Sequence, residues 1–288
     1  MNKIIFFISM NNFLPGLYIV STPIGNLEDI TLRALNVLRN SDKILCEDTR
    51  RSIKLLNFYK IKKELFSYHK FNEKKLLPFA VNSILEGEKV ALISDAGTPI
   101  LSDPGLLLLR ECIKKNIKIF PIPGVSAITT ATSVSGFNDK YFFYGFLPKK
   151  VKEIEKELNV LRDHNFCIVF FVPSIKINYY IKFFKKYFAN REIFIAREMT
   201  KVHEEFYRKN LKNFDGFKSK IKGELTVILS NIGKRNVLEV NNVNKKTLKL
   251  EISKYLKRYS VRDVVNLISQ KNGLSKKEIY DLCLKIKK

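Results

Sequence analysis

Short, almost wholly apolar runs alternate along the chain with stretches in which apolar residues recur every three or four positions. The runs at 17–20, 43–46, 90–93 and 117–122 predict strands buried on both faces. Leu32, Leu35 and Leu38 share one helical face, with Asp29 or Thr31 placed to cap it, and 51–58 and 106–115 predict two more helices. Strands alternating with helices predict an α/β fold with a mainly parallel sheet covered on both sides.

After Pro121-Ile-Pro-Gly124 the pattern changes. A small-residue helix over 126–135 is followed by strands at 141–146, 167–172, 192–196 and 224–229 and helices over 151–163 and 175–188. These strands are more aromatic and their connections shorter, which predicts a mixed sheet. From residue 245 the text reads as two or three short amphipathic helices with Asn272-Gly273 as a turn. The domain reading is therefore an N-terminal α/β domain over 13–123, a second over 124–240 and a basic helical appendage over 241–288. No repeat of fixed period is present. The apolar start, Met1 to Met10, is too short for a signal peptide and breaks at Asn11-Asn12; it reads as a leader into the first strand.

Composition adds a globular balance, 45% hydrophobic against 28% charged. The formal net charge is +24, and residues 241–288 hold 13 basic against 4 acidic side chains. Such a surplus attracts polyanions, RNA or DNA above all. A coding bias toward Asn, Lys, Ile and Phe would also raise it, so charge supports a nucleic-acid partner without establishing one. Cys46, Cys112, Cys167 and Cys283 lie far apart, without metal or disulfide spacing, and suit a reducing cytoplasmic setting. His69, His164 and His203 are equally scattered, so no metal site is expected. No stretch reaches membrane-spanning length.

Ligands of open α/β sheets bind beyond the carboxyl ends of the strands. Three loops dense in Gly, Pro, Ser and Thr fall there, at 21–26, 94–105 and 122–127. Any one is an ordinary connection; three at one sheet edge make a cleft in which backbone groups can approach a ligand closely. Neither a P-loop nor a G-x-G-x-x-G fingerprint occurs, which disfavours nucleoside triphosphatases and dinucleotide dehydrogenases. Glu47, Asp48, Asp95 and Asp103 give the expected cleft a negative lining suited to a positively charged ligand. Glu47 or Asp48 is a candidate proton acceptor and Arg50 a candidate phosphate neutraliser, although Asp48 is as well placed to cap a helix.

The segments Leu-Tyr-Ile-Val-Ser-Thr-Pro-Ile-Gly-Asn-Leu (17–27), Glu-Asp-Thr-Arg (47–50) and Ser-Asp-Ala-Gly-Thr-Pro-Ile-Leu-Ser-Asp-Pro-Gly (94–105) closely resemble the tetrapyrrole-methylase-like superfamily. The branch they resemble is the ribosomal RNA small subunit methyltransferase I type. Pro-Gly-Val-Ser-Ala (123–127), Tyr-Gly-Phe-Leu-Pro-Lys (144–149), Arg-Glu-Met-Thr-Lys (197–201) and Lys-Gly-Glu-Leu-Thr-Val (222–227) extend the likeness, in order. The resemblance implies a two-domain enzyme, usually a homodimer, that binds S-adenosylmethionine between its lobes. It also implies methylation of the ribose 2′-oxygen of a cytidine in the decoding region of 16S ribosomal RNA in the small ribosomal subunit. Asp95, Gly97, Thr98, Ser126 and Ala127 would contact the cofactor, Pro23 and Ile24 would form its floor, and Phe171, Met199 and Leu225 would wall the adenosine. The RNA-facing set would be Lys149, Lys150, Arg197, Lys201, Lys257, Arg258, Arg262, Lys276 and Lys277. One departure stands out: Phe171-Val-Pro-Ser-Ile-Lys176 replaces the family's Phe-Tyr-Glu-Ser followed by His-Arg, so Pro173 takes the place of the Glu. A tetrapyrrole-precursor methyltransferase and a non-catalytic RNA-binding assembly protein are the two alternatives.

Overall fold

The computed structural model describes residues 13–137, 140–232, 245–256, 259–272 and 276–287. The expected N-terminal leader, the Asn272-Gly273 turn and the 240/241 boundary lie wholly or partly outside them.

The apolar runs of the first half become five parallel strands, β1 (Gly16–Val20), β2 (Lys43–Cys46), β3 (Leu65–Ser67), β4 (Lys89–Ile93) and β5 (Ile119–Ile122), in the order β3-β2-β4-β1-β5. Alternate side chains go to opposite faces, as the pleat requires. Tyr18, Val20, Ile44, Cys46, Ala91 and Ile93 meet Ala34, Leu35, Val37 and Leu38 of α1 (Leu32–Asn40) and Leu56 of α2 (Thr49–Phe58). Leu17, Leu45, Val90 and Leu92 meet the apolar sides of α3 (Glu73–Leu85) and α4 (Leu106–Lys114). Thr31 caps α1 by accepting the Ala34 N–H at 3.1 Å, while Asp29 closes a short 3-10 turn, Leu27–Asp29.

In the second half α5 (Ala127–Ser135) leads to a mixed sheet of order β6-β7-β10-β8-β9. Its strands are β6 (Tyr141–Phe146), β7 (Cys167–Pro173), β8 (Glu192–Arg197), β9 (Glu205–Asn210) and β10 (Glu224–Leu229); β6 and β7 are parallel and the remaining pairs antiparallel. One face packs on α6 (Val151–Leu161) and α7 (Ile177–Phe188). The other receives Ile128 and Ala131 of α5 and, from the first half of the chain, Ile24. Ile24 thus ties the loop after β1 to the second sheet. The helices Lys245–Leu256, Val261–Asn272 and Lys276–Lys287 share a separate small core built on Ile252, Val264, Ile268, Ile279 and Cys283.

Three elements exceed the sequence expectation. Strand β3 is only three residues long and half-buried at a sheet edge, and α3 carries Pro78 in its interior. Strand β9, Glu-Phe-Tyr-Arg-Lys-Asn, is an edge strand with little apolar–polar alternation.

Candidate active site

Strands β1, β2 and β4 are neighbours in the middle of the first sheet, so the loops at their carboxyl ends open side by side. Thr22 and Gly97 exchange both backbone hydrogen bonds, at 2.9 and 3.0 Å, which fixes the loop after β1 against the loop after β4. Ser21 Oγ lies 3.0 Å from Thr98 Oγ1, and Thr98 Oγ1 donates to the carbonyl of Val125 at 3.2 Å, adding the loop after β5. The three Gly- and Pro-rich loops therefore form one rim. Gly97 adopts φ +77°, a left-handed conformation that suits a residue without Cβ. Ile100 and Ser102, at φ +76° and +72°, hold the same conformation with side chains, so the 94–105 loop stores strain where it lines the site.

The rim encloses a cavity of about 440 Å³ between the two sheets, within the range of small-molecule sites. Ile24, Gly97 and Thr98 line it from the first half, and Ser126, Ala127, Phe171 and Leu225 from the second. Glu47, Asp95 and Asp103 also line it, with Arg51 as the facing cation; Arg51 Nη1 lies 3.3 Å from Asp95 Oδ2. Burial, reinforced by the Glu47 and Asp95 charges, pushes the Asp103 carboxyl up to about 6. Burial and Asp95 likewise raise Glu47. Carboxylates crowded in this way favour an incoming positive charge.

The remaining expected residues fall elsewhere. Pro23 and Met199 do not line the cavity; Met199 packs behind it, in the core that includes Ile24 and Phe194. Asp48 caps α2 by accepting the Arg50 N–H at 2.9 Å, and the Arg50 guanidinium holds its carboxyl down at about 2. Asp48 and Arg50 line an adjoining cavity that shares Glu47 and Asp95 with the first. Among the expected RNA-facing residues, Lys149, Lys150, Arg262, Lys276 and Lys277 are exposed. Arg197 is engaged by Glu205 at 2.8 Å and the Lys222 carbonyl at 2.7 Å, and Lys201 by Glu198 and Glu224 at 3.1 and 2.8 Å. Lys257 and Arg258 lie outside the described residues.

Sequence reasoning left Arg51, Leu101, Ser102, Phe146, Pro173, Glu224 and Thr226 out of the cofactor set, although all line the cavity. Five of them, Leu101, Ser102, Phe146, Glu224 and Thr226, sit inside motif segments, which was the available signal. Arg51 arrives only because α2 starts at the end of β2. Pro173 supplies part of the wall.

The family model for tetrapyrrole (corrin/porphyrin) methylases matches residues 16–215. The chain belongs to this family. Its similar members include "Ribosomal RNA small subunit methyltransferase I" of Thermotoga maritima, 47% identical over 74% of this chain and 97% of the relative. The protein of the same name from Rickettsia prowazekii is 38% identical over 94% of this chain and 97% of its own length. Among solved structures, a uroporphyrin-III C-methyltransferase from Thermus thermophilus, complexed with S-adenosyl homocysteine, superposes with a TM-score of 0.55. That match covers 75% of this chain and 98% of the other at 13% identity, a likeness of fold alone. Among the described residues no helix is long and apolar enough to cross a membrane.

Proposed function

We propose that this protein transfers a methyl group from S-adenosylmethionine to small-subunit ribosomal RNA, at the ribose 2′-oxygen of a cytidine in the decoding region. Methyltransferases of its family use this donor. The motif resemblance further suggests a cytoplasmic homodimer. One observation supports the reading above the rest: the three motif loops meet around a cavity lined by three carboxylates and closed by apolar walls. When bound, S-adenosylmethionine supplies a methyl group on a positively charged sulfur.

The residues present fit such a ligand. Glu47, Asp95 and Asp103 favour its cationic groups, and Ile24, Phe171 and Leu225 offer apolar surface to its nucleoside part. Support for RNA as acceptor comes from the relatives' names, the net charge of +24 and the exposed lysines at 149, 150, 276 and 277.

A ribose hydroxyl is a weak acid, so a base positioned beside it assists its attack. Glu47 suits that task better than Asp48. Its carboxyl lines the cavity and binds protons more tightly than an ordinary glutamate. Asp48 is held ionised by Arg50 and is correspondingly a weak base. Alignment of the two reactants contributes more still, about 7–11 kcal/mol in well-oriented systems.

Two measurements test the reading: calorimetric titration with S-adenosylmethionine, and mass spectrometry of ribosomal RNA nucleosides from cells with and without the protein. Donor binding and loss of one 2′-O-methylcytidine in its absence are expected. In single-site variants, Glu47→Gln should lower turnover about 100-fold or more with donor binding retained. Asp48→Asn should keep most of the activity. Full turnover by Glu47→Gln would remove the assignment of the base.

A further inference from the structure

The adjoining cavity, about 520 Å³ and open to solvent, lies at the carboxyl ends of β2 and β3. Strand β3 is the sheet edge, so this cavity forms the outer approach to the carboxylates that both cavities share. Its outer wall is the loop from Ser67 to Asn72, which lies in none of the motif segments.

That loop is held by its own hydrogen bonds. Asn72 Oδ1 accepts the His69 N–H at 2.8 Å, and Asn72 Nδ2 donates to the Ser67 carbonyl at 2.9 Å. His69 Nδ1 accepts the Phe71 N–H at 3.2 Å. An Nδ1 that accepts leaves the ring proton of the neutral imidazole on Nε2, so His69 acts on the loop as a clamp. Below it Tyr68 is wholly buried and anchors the turn.

The result is unusual for an apolar side chain: Phe71 is 93% exposed. Its ring meets the His69 imidazole edge-on, with centroids 6.0 Å apart, and otherwise faces open space. The loop therefore presents a phenyl face to solvent. Beside it stand two exposed cations, Lys70 and Arg50. The Arg50 guanidinium is fixed on Asp48 through Nε and Nη2, at 3.0 and 2.8 Å, and is 87% exposed.

Cations and an aromatic face at the rim, with carboxylates on the floor, specify a ligand. It needs an anionic group, a flat ring and, between them, a group that can donate a proton to a carboxylate. A nucleotide in single-stranded RNA offers all three, as phosphate, base and ribose hydroxyl. We propose that this cavity is the subsite for the target nucleotide, with Phe71 stacking its base, Lys70 and Arg50 holding its flanking phosphate, and His69 positioning Phe71. The proposal rests on the RNA-methylation reading above and adds to it the residues that select an unpaired nucleotide.

The test uses the full-length protein carrying Phe71→Ala, Phe71→Tyr or Lys70→Gln, with small-subunit RNA from cells lacking the protein. Phe71 is exposed, so its replacement leaves the core intact. Phe71→Ala should lower kcat/KM for RNA about 5- to 150-fold, the loss that one base–aromatic stack corresponds to. Phe71→Tyr should restore it, and S-adenosylmethionine affinity should stay at the wild-type value in both. Lys70→Gln should weaken RNA binding and flatten its salt dependence by about one phosphate contact. Unchanged kcat/KM in Phe71→Ala overturns the subsite. So does equal failure of Phe71→Tyr, or a parallel loss of donor affinity, which would make the ring part of the donor cavity. A wild-type protein that binds no donor, or that methylates a carboxylated tetrapyrrole in place of RNA, overturns the functional reading itself. These results are distinguishable because they come from the unmutated chain.

Discussion

Asp103 shows how one side chain links the stability of the fold to the charge of the site. In an unfolded chain its carboxyl titrates near ~3.9. In the folded protein burial, with Glu47 and Asp95 nearby, pushes it up to about 6. Between those values the folded state binds more protons than the unfolded one, so stability falls as pH rises. At neutral pH the ionised Asp103 is therefore a destabilising group. Asp103→Asn should melt higher than wild type at pH 7–8, by about 1–3 kcal/mol, with the gap closing below about pH 4. Binding of a cationic donor should follow the opposite course. Wild-type affinity should strengthen as pH rises through about 6, and the Asn variant should show less of that rise. Thermal melts and calorimetry across pH 4–8 check both halves. A stability gap independent of pH would show that Asp103 is not held in this raised state.

Among the elements, the strand ends and their loops were legible and the edges were not. Strands β1, β2 and β4 are apolar at nearly every position because both faces of the sheet are covered, and that pattern is visible in any window. The three rim loops were legible through their Gly and Pro content. Strand β3 and helix α3 escaped notice because three half-buried residues carry no periodicity and Pro78 reads as a break. Arg51 and Pro173 are functional candidates only through tertiary placement: one lies in the first turn of a helix at the cleft, and the other ends a strand facing it. Contact between loops is equally invisible in sequence, and Gly124 illustrates it. A Cβ there would stand 2.8 Å from Ser21 Cβ, closer than carbon atoms pack. Ser21 in turn holds Thr98, and Thr98 holds Val125. Gly124→Ala must therefore push the loop after β1 away from the loop after β5. Its expected stability cost is about 1–3 kcal/mol, the usual range for overpacking. The larger effect should be on donor binding, about tenfold weaker by calorimetry, because the displaced atoms form the rim. Donor affinity equal to wild type would show that the rim tolerates the shift.

At the scale of the whole molecule, a net charge of +24 raises the question of which cations meet the acceptor and which serve the fold. Counting basic residues does not answer it, but their engagement does. Arg197 and Lys201 are tied to Glu205, Glu198 and Glu224 beside the second sheet, and Arg197 also donates to the Lys222 carbonyl. The Arg197 and Lys201 side chains are only 18% and 29% exposed, so with carboxylates already on them they add little net attraction for a distant phosphate, unlike the Arg50 guanidinium, which is 87% exposed. Lys276 and Lys277, by contrast, are exposed on the last helix. Phosphate contacts release counterions, so each one steepens the fall of affinity with salt, by about 0.7 in the logarithmic slope for single strands. The joint variant Lys276→Gln with Lys277→Gln should therefore flatten the salt dependence of RNA binding by about one to one and a half units and leave the melting temperature unchanged. Arg197→Gln should do the reverse: it leaves the slope close to wild type but lowers the melting temperature, because it removes the guanidinium donor from the Lys222 carbonyl and from Glu205, which keeps only the Tyr207 hydroxyl. Measuring RNA affinity between low and physiological salt for both variants separates the two classes of cation. A slope equally affected by both, or an affinity flat with salt in the wild-type protein, would mean that engagement within the fold does not decide which charges the RNA meets.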